Sequence, residues 1–164
     1  RGHETIDEAI ADPACREWVE LFWDEASRHL PFPPGVVADY RAALLTRFSN
    51  PHAGQLARIA ADGSTKLVVS TIPTVRAERA AGRVPVGCET IAAWVLHLRG
   101  DGAPVKDPGA TSAQQAANSG ELPTVVPDVL DTLEPGLGRD HDFVRAVLAQ
   151  AEAITLRLRS RATT

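Results

Sequence analysis

Apolar residues recur at intervals of three and four along most of this chain, the spacing of amphipathic helices rather than strands. Pro13 suits the first turn of a helix whose N-cap is Asp12, and Trp18, Leu21, Phe22 and Ala26 then follow at helical spacing. Pro31-Phe32-Pro33-Pro34-Gly35 stops that helix and forms a stiff linker. A second helix is predicted from Val36 to Phe48, with Tyr40, Leu44 and Phe48 on one face. Asn50-Pro51 ends it and opens a short helix running through Ala61. Asp62-Gly63 reads as a turn, with Ser64 capping a helix that starts at Thr65 and bends or breaks near Pro73.

The stretch from Gly87 to Arg99 is the most apolar helix, and Ile91, Trp94, Val95 and Leu98 make it the expected centre of the core. Residues 100–120 are rich in loop formers, with one short helix around Ser112 to Ala117. Pro123 to Leu133 reads as another short helix. Asp140 to Arg161 reads as a long terminal one, with Phe143, Val147, Ala151, Ile154 and Leu158 on one stripe. Leu67-Val68-Val69 is the only β-branched strand candidate. The pattern predicts an all-α domain, orthogonal or bundle-like.

Composition narrows the function classes. The 164 residues suit one domain, and a chain of this length buries roughly 70% of its unfolded surface. A net charge of -4 and scattered basic residues argue against nucleic acid or an anionic membrane as the partner. The dense basic tail, Arg157, Arg159 and Arg161, reads as a solvated helix end. Cys15 and Cys88 form no CxxC pair and are expected to be two buried thiols, with one long-range disulfide as the alternative. No apolar run approaches the ~20 residues that span a bilayer. No secretory signal precedes the first helix, so a cytoplasmic location is expected. The chain opens on Arg1, and the expectation is that it is part of a longer polypeptide.

No GxGxxG, P-loop, HExxH, GxSxG or zinc-spaced Cys/His set occurs, so neither a cofactor site nor a metal site is expected within the chain. Asp140-His141-Asp142 resembles a metal cluster, but neighbouring residues at a helix start diverge, and Asp there is an ordinary cap. One segment combines several features: Arg47-Phe48-Ser49-Asn50-Pro51, Arg58, and Asp62-Gly63-Ser64-Thr65-Lys66. Two helices meeting at the Gly63 turn would aim Arg58 and Lys66 into one cleft, a guanidinium and an ammonium able to hold hydroxyls or a carboxylate. The plainer reading pairs Arg58 with Asp62 four residues on and leaves Lys66 solvated. On the residues alone the plainer reading is the stronger.

The same segment resembles the signature RFxNP…RxxxDGSxK of the mannitol dehydrogenase family, the polyol-specific long-chain dehydrogenases that include fructuronate reductases. The chain reads RFSNP…RIAADGSTK. Gly2 to Ile6, Ala11-Asp12-Pro13, the run LPFPPGVVADYRAALL from Leu30 to Leu45, and Ala92-Ala93-Trp94 are also similar to the family, and the likeness thins after about Gly100. The resemblance implies an all-α, multi-helical domain like the C-terminal domain of 6-phosphogluconate dehydrogenase-like enzymes. It implies that Arg58 and Lys66 bind an open-chain polyol, ketose or sugar acid. Asn50, Asp62, Gly63 and Ser64 would shape the turns.

The resemblance further implies hydride transfer with NAD or NADP, without a metal. The cofactor would be bound by an N-terminal Rossmann-type domain, and proton transfer would fall to a Lys-x-x-x-x-Asn-x-x-His motif; neither is in this chain. No catalytic residue is therefore expected here, and the 164 residues alone are expected to be inactive. Leu67-Val68 stands where many relatives have a proline. The competing class is a stand-alone, non-catalytic helical module that binds a partner or small ligand.

Overall fold

A computed structural model describes residues 2–101 and 104–162, with side chains to Ser160. Among them every regular element is helical, and the sole β feature is an isolated antiparallel bridge between Thr5 and Gln55. Ten α-helices follow in order: α1 (Ile6–Ala11), α2 (Pro13–Ser27), α3 (Pro34–Phe48), α4 (Leu56–Ala60), α5 (Gly63–Lys66), α6 (Ile72–Ala80), α7 (Gly87–Leu98), α8 (Thr111–Ala117), α9 (Leu122–Leu133) and α10 (His141–Ala162). No helix among the described residues is long and apolar enough to cross a membrane.

The main core forms around α7. Cys88, Ile91, Ala92, Val95, Leu96 and Leu98 are buried on it, one broad apolar face, while Ala93 on the opposite side is exposed. So broad an apolar face needs cover from several elements. The cover comes from Ile72 and Val75 of α6, Ala113 and Ala117 of α8, Val126, Val129 and Leu130 of α9, and Phe143, Val147 and Ala151 of α10. The stripe on α10 leaves the core toward its end: Ile154 is half-buried and Leu158 exposed. Arg157 reaches back to the Glu89 carboxylate of α7 at 2.6 Å rather than pointing into solvent. The Arg161 side chain lies outside the described residues.

Helices α1 to α4 form an arm outside this core. The only fully buried residue of α2 is Glu25, and α3 buries none. The apolar face expected on α3 is largely open: Tyr40 is 65% exposed, while Leu44 and Phe48 are half-buried. The arm is fastened by charge. The Glu25 carboxylate accepts the amides of Val86 and Gly87 and so caps α7 from a different helix. In the opposite direction, the buried carboxylate of Glu78 on α6 takes Arg28 at 2.6 Å and His29 at 2.6 Å from the end of α2, and Arg83 at 2.7 Å.

Near Pro73, where a bend or a break is expected, the helix does not break. From Gly63 to Ala80 the chain is continuously helical, and Leu67–Thr71 widens into one π turn in which the Ile72 amide donates to the Leu67 carbonyl. Proline lacks a donor and its ring crowds the carbonyl four residues back, so widening the turn ahead of Pro73 lets the helix pass. The strand candidate Leu67-Val68-Val69 is consumed in this turn. Of the two thiols, Cys88 is buried and Cys15 only half-buried, and the two form no disulfide with each other. Burial pushes the Cys88 thiol up to about 11, which leaves it unreactive at neutral pH.

Gly138 passes so close to α9 that a Cβ there would stand 2.2 Å from the Pro127 carbonyl oxygen. Backbone cannot yield as a flexible side chain does, so Gly138→Ala should lower unfolding free energy by about 3 kcal/mol in urea titrations.

Hydrogen bonds from Arg83, Arg28 and His29 hold the Glu78 carboxyl well below the usual carboxylate range, against the opposing effect of burial. The Arg79 guanidinium, 2.7 and 2.9 Å away, holds Asp140 down to about 2. A carboxylate depressed in the native state stabilises it fully above the unfolded value of about 4 and loses that contribution as pH falls toward the folded value. Glu78→Gln should therefore destabilise by about 2–3 kcal/mol at pH 7. Urea midpoints should also fall less steeply for this variant than for wild type below about pH 4.5.

Candidate functional site

The segment from Arg47 to Lys66 crosses from the arm to the core. After α3 the Asn50 carboxamide oxygen accepts the His52 amide at 2.8 Å, closing an Asx turn. Gly54, at φ +117°, turns the chain beside residues 4–6. There the Ile6 amide donates to the Gly54 carbonyl at 3.1 Å and the Leu56 amide to the Glu4 carbonyl at 2.9 Å. The start of the chain thus frames the entry to α4, which carries Arg58.

Arg58 is exposed, and among the described residues its side chain has no hydrogen-bond or ion-pair partner. The pairing with Asp62 expected from sequence is absent. Asp62 instead meets Lys66 at 2.5 Å, and the Lys66 ammonium also donates to the Ile59 carbonyl at 2.8 Å. That second bond seats Lys66 of α5 against α4, one residue past Arg58. Lys66 uses two of its three donors in this way, and the third stays open.

The turn itself differs from expectation. Asp62, at φ -130° and ψ 29°, offers no side-chain cap, and Gly63 already belongs to α5. Ser64 is not a cap but a buried helical residue: its amide donates to Asp107 Oδ2 at 2.6 Å and its hydroxyl to Oδ1 at 3.0 Å. Asp107 Oδ1 also accepts the Gly109 amide at 3.0 Å. A buried carboxylate 43 residues downstream therefore grips the Asp-Gly-Ser turn. Sequence reasoning missed Asp107. Asp before Pro108 does signal a cap, but nothing in the sequence shows its second oxygen reaching Ser64. Trp94 of α7 packs behind Gly63, where a Cβ would lie 3.4 Å from the indole nitrogen.

Two concavities lie nearby. One of about 290 Å³ is lined by Ser64, Thr65, Val68, Trp94 and Gly109 among others. The other, about 760 Å³, is an apolar groove between α2, α7 and α10 that includes Trp18, Leu21, Ala93, Ile154 and Leu158. Neither contains Arg58 or Lys66, whose cations stand on open surface. Asp140 caps α10 through the Phe143 amide at 3.0 Å and pairs with Arg79, so Asp140-His141-Asp142 is a helix start and not a cation cluster.

The described residues define an all-helical domain with an exposed Arg/Lys surface where arm meets core. Its fold is similar to that of the Pseudomonas fluorescens mannitol 2-dehydrogenase in a ternary complex with NAD and D-mannitol, at 26% identity and a TM-score of 0.79. That likeness covers 94% of this chain and 33% of the dehydrogenase, so the chain spans about a third of the relative's length. The family model of the mannitol dehydrogenase C-terminal domain matches residues 1–155, and the chain belongs to that family. No curated protein matches it.

Asp107→Ala would leave the buried Ser64 amide without its acceptor, a loss of about 1–3 kcal/mol. Hydrogen exchange should show protection falling at Ser64 and Gly109 while the amides of Ile91 and Val95 in α7 stay protected.

Proposed function

We propose that this chain is the substrate-binding domain of an NAD(P)-dependent dehydrogenase that interconverts a secondary alcohol and a ketone on a polyol, ketose or hexuronate. The observation that carries the reading is the folded RFSNP…RIAADGSTK segment, which seats the Lys66 ammonium against α4 beside Arg58 and leaves both cations exposed. Arg58 offers a planar fork of donors for vicinal hydroxyls or a carboxylate, and Lys66 adds its remaining donor as a point charge. Asp62 steers the lysine, and the local charge of Arg58, Lys66 and Asp62 sums to one positive, suited to a neutral polyol or a monoanionic sugar acid. Asn50 shapes the turn that leads into α4, and Gly63 and Ser64 shape the backbone between Arg58 and Lys66.

Among the described residues no Gly-rich turn opens a helix after a strand, so the dinucleotide belongs on a separate Rossmann-type domain of the same protein. NAD(P), when bound there, supplies hydride transfer. The upstream Lys-x-x-x-x-Asn-x-x-His motif handles the proton and the carbonyl oxygen, and no metal takes part. The residues of this chain bind and orient the open-chain substrate, from one wall of a cleft between domains. A cytoplasmic location belongs to the same reading.

In the full-length enzyme, Arg58→Ala and Lys66→Ala should each lower kcat/KM for the sugar by about 10- to 100-fold, mainly through KM, with KM for NAD(P) unchanged. The 164 residues alone should give no turnover, and adding a separately produced N-terminal domain should restore it. Turnover by the isolated chain would overturn the assignment. Failure of the added domain to restore activity would favour a stand-alone binding module.

A further inference from the structure

Three side chains of different chemistry converge where the chain enters α2. Asp12 is the N-cap of that helix and Cys15 its third residue, positions whose side chains face each other across the first turn. His3, ahead of α1, closes the group. The His3 Nε2, one Asp12 oxygen and the Cys15 sulfur all lie within 4.8 Å of one another, and His3 Nε2 stands 3.0 Å from Asp12 Oδ2. All three residues are half-buried.

We propose that His3, Asp12 and Cys15 form a structural binding site for a zinc-class divalent cation. One imidazole nitrogen, one carboxylate oxygen and one thiolate sulfur form a borderline-soft set that suits zinc and disfavours calcium or magnesium, which take oxygen ligands. Bond lengths of about 2.0–2.3 Å at tetrahedral angles place ligand atoms about 3.3–3.7 Å apart. Bringing the three atoms to that spacing takes a displacement of about 1 Å. A water takes the fourth position.

Asp12 is already oriented for the task. Its Oδ1 accepts the amides of Ala14 at 2.9 Å and Cys15 at 3.4 Å, which aims Oδ2 at His3 and supplies the outer hydrogen bonding that metal-bound carboxylates need. A carboxylate and a thiolate balance the charge of a dication. On binding, the His3–Asp12 hydrogen bond gives way to two metal bonds, the Cys15 sulfur forms a third, and the thiol proton leaves to solvent.

The site shares no residue with the Arg58 and Lys66 surface and plays no part in the proton or hydride steps. Its effect is mechanical. His3 precedes Glu4 and Ile6, whose backbone groups pair with Leu56 and Gly54. A cation tying His3 to α2 would clamp the segment that frames the entry to α4. The inference does not depend on the proposed function.

The test uses the 164-residue chain without a polyhistidine tag, stripped with chelator, kept reduced and titrated with Co²⁺ and then Zn²⁺. One equivalent of Co²⁺ should give the thiolate charge-transfer band and the strong visible bands of a four-coordinate site. Zn²⁺ should displace it, raise Tm and release about one proton. Cys15→Ser should abolish the charge-transfer band, and Cys88→Ser should leave it. Asp12→Asn preserves the helix cap, since Asn caps as well as Asp. It should keep the metal-free Tm while weakening Zn²⁺ binding at least about 10-fold. Absence of a charge-transfer band in the wild type would overturn the proposal. So would Cys15→Ser or Asp12→Asn binding Zn²⁺ as tightly as the wild type.

Discussion

Two buried carboxylates, reaching in opposite directions, hold the arm of this molecule to its core. Glu25 extends from α2 to the first amides of α7, and Glu78 extends from α6 to the end of α2. Neither is replaceable by apolar contact, because α2 has no other fully buried side chain and α3 has none. A buried carboxylate is stable only when its oxygens are fully engaged. Glu78 meets that condition with Arg28, His29 and Arg83, and Glu25 with the free end of a buried helix. The attraction is directional, so it sets the register of α2 against α6 and α7 where apolar packing alone would leave it loose.

That register matters for the Arg/Lys surface, because its two cations belong to different parts. Arg58 stands on α4, in the arm, and Lys66 on α5, which runs on through the π turn into α6 of the core. Their relative position depends on the short link at Ala61 and Asp62, on the Lys66 bond to the Ile59 carbonyl, and on the Asp107 grip on Ser64. Lys66 is tethered and Arg58 is not. The surface therefore presents one tethered charge and one untethered guanidinium.

Much of the helix plan was legible locally. Asp12 before Pro13, the proline cluster after Ser27 and Asp140 before α10 all act through groups only a few residues away and bound their helices much as expected, whereas the helix expected to open at Asn50-Pro51 begins only at Leu56, after the Asn50 Asx turn. The centre of the core was legible too, because α7 is the most apolar helical stretch of the chain and carries a broad apolar face. Errors arose where a distant group intervened. Ser64 reads as a cap but is captured by Asp107. Tyr40, Leu44 and Phe48 share a face of α3 as expected, yet only its far end is partly covered, with Phe48 against Trp23, and Tyr40 stays exposed. Pro73 reads as a bend or a break, and the π turn from Leu67 to Thr71 decides for continuation.

The candidate surface divides along the same line. The sequence alone assigned the family through the motif around Arg58 and Lys66, because residue type and spacing are written in the chain, while the residues by themselves favoured an Arg58–Asp62 pair. It misassigned the partner of Asp62, since an i,i+4 rule serves Arg58 and Lys66 equally well and cannot choose between them. Only the tertiary structure made that choice, by bringing α5 against α4 so that Lys66 reaches both Asp62 and the Ile59 carbonyl. It alone also revealed Asp107, Glu25 and Glu78 as the groups that hold the elements in place. Local steric and hydrogen-bonding preferences act over one helical turn and are readable in order along the chain. The burial of a carboxylate depends on which amides and cations distant segments deliver to it, and that is decided when the chain packs.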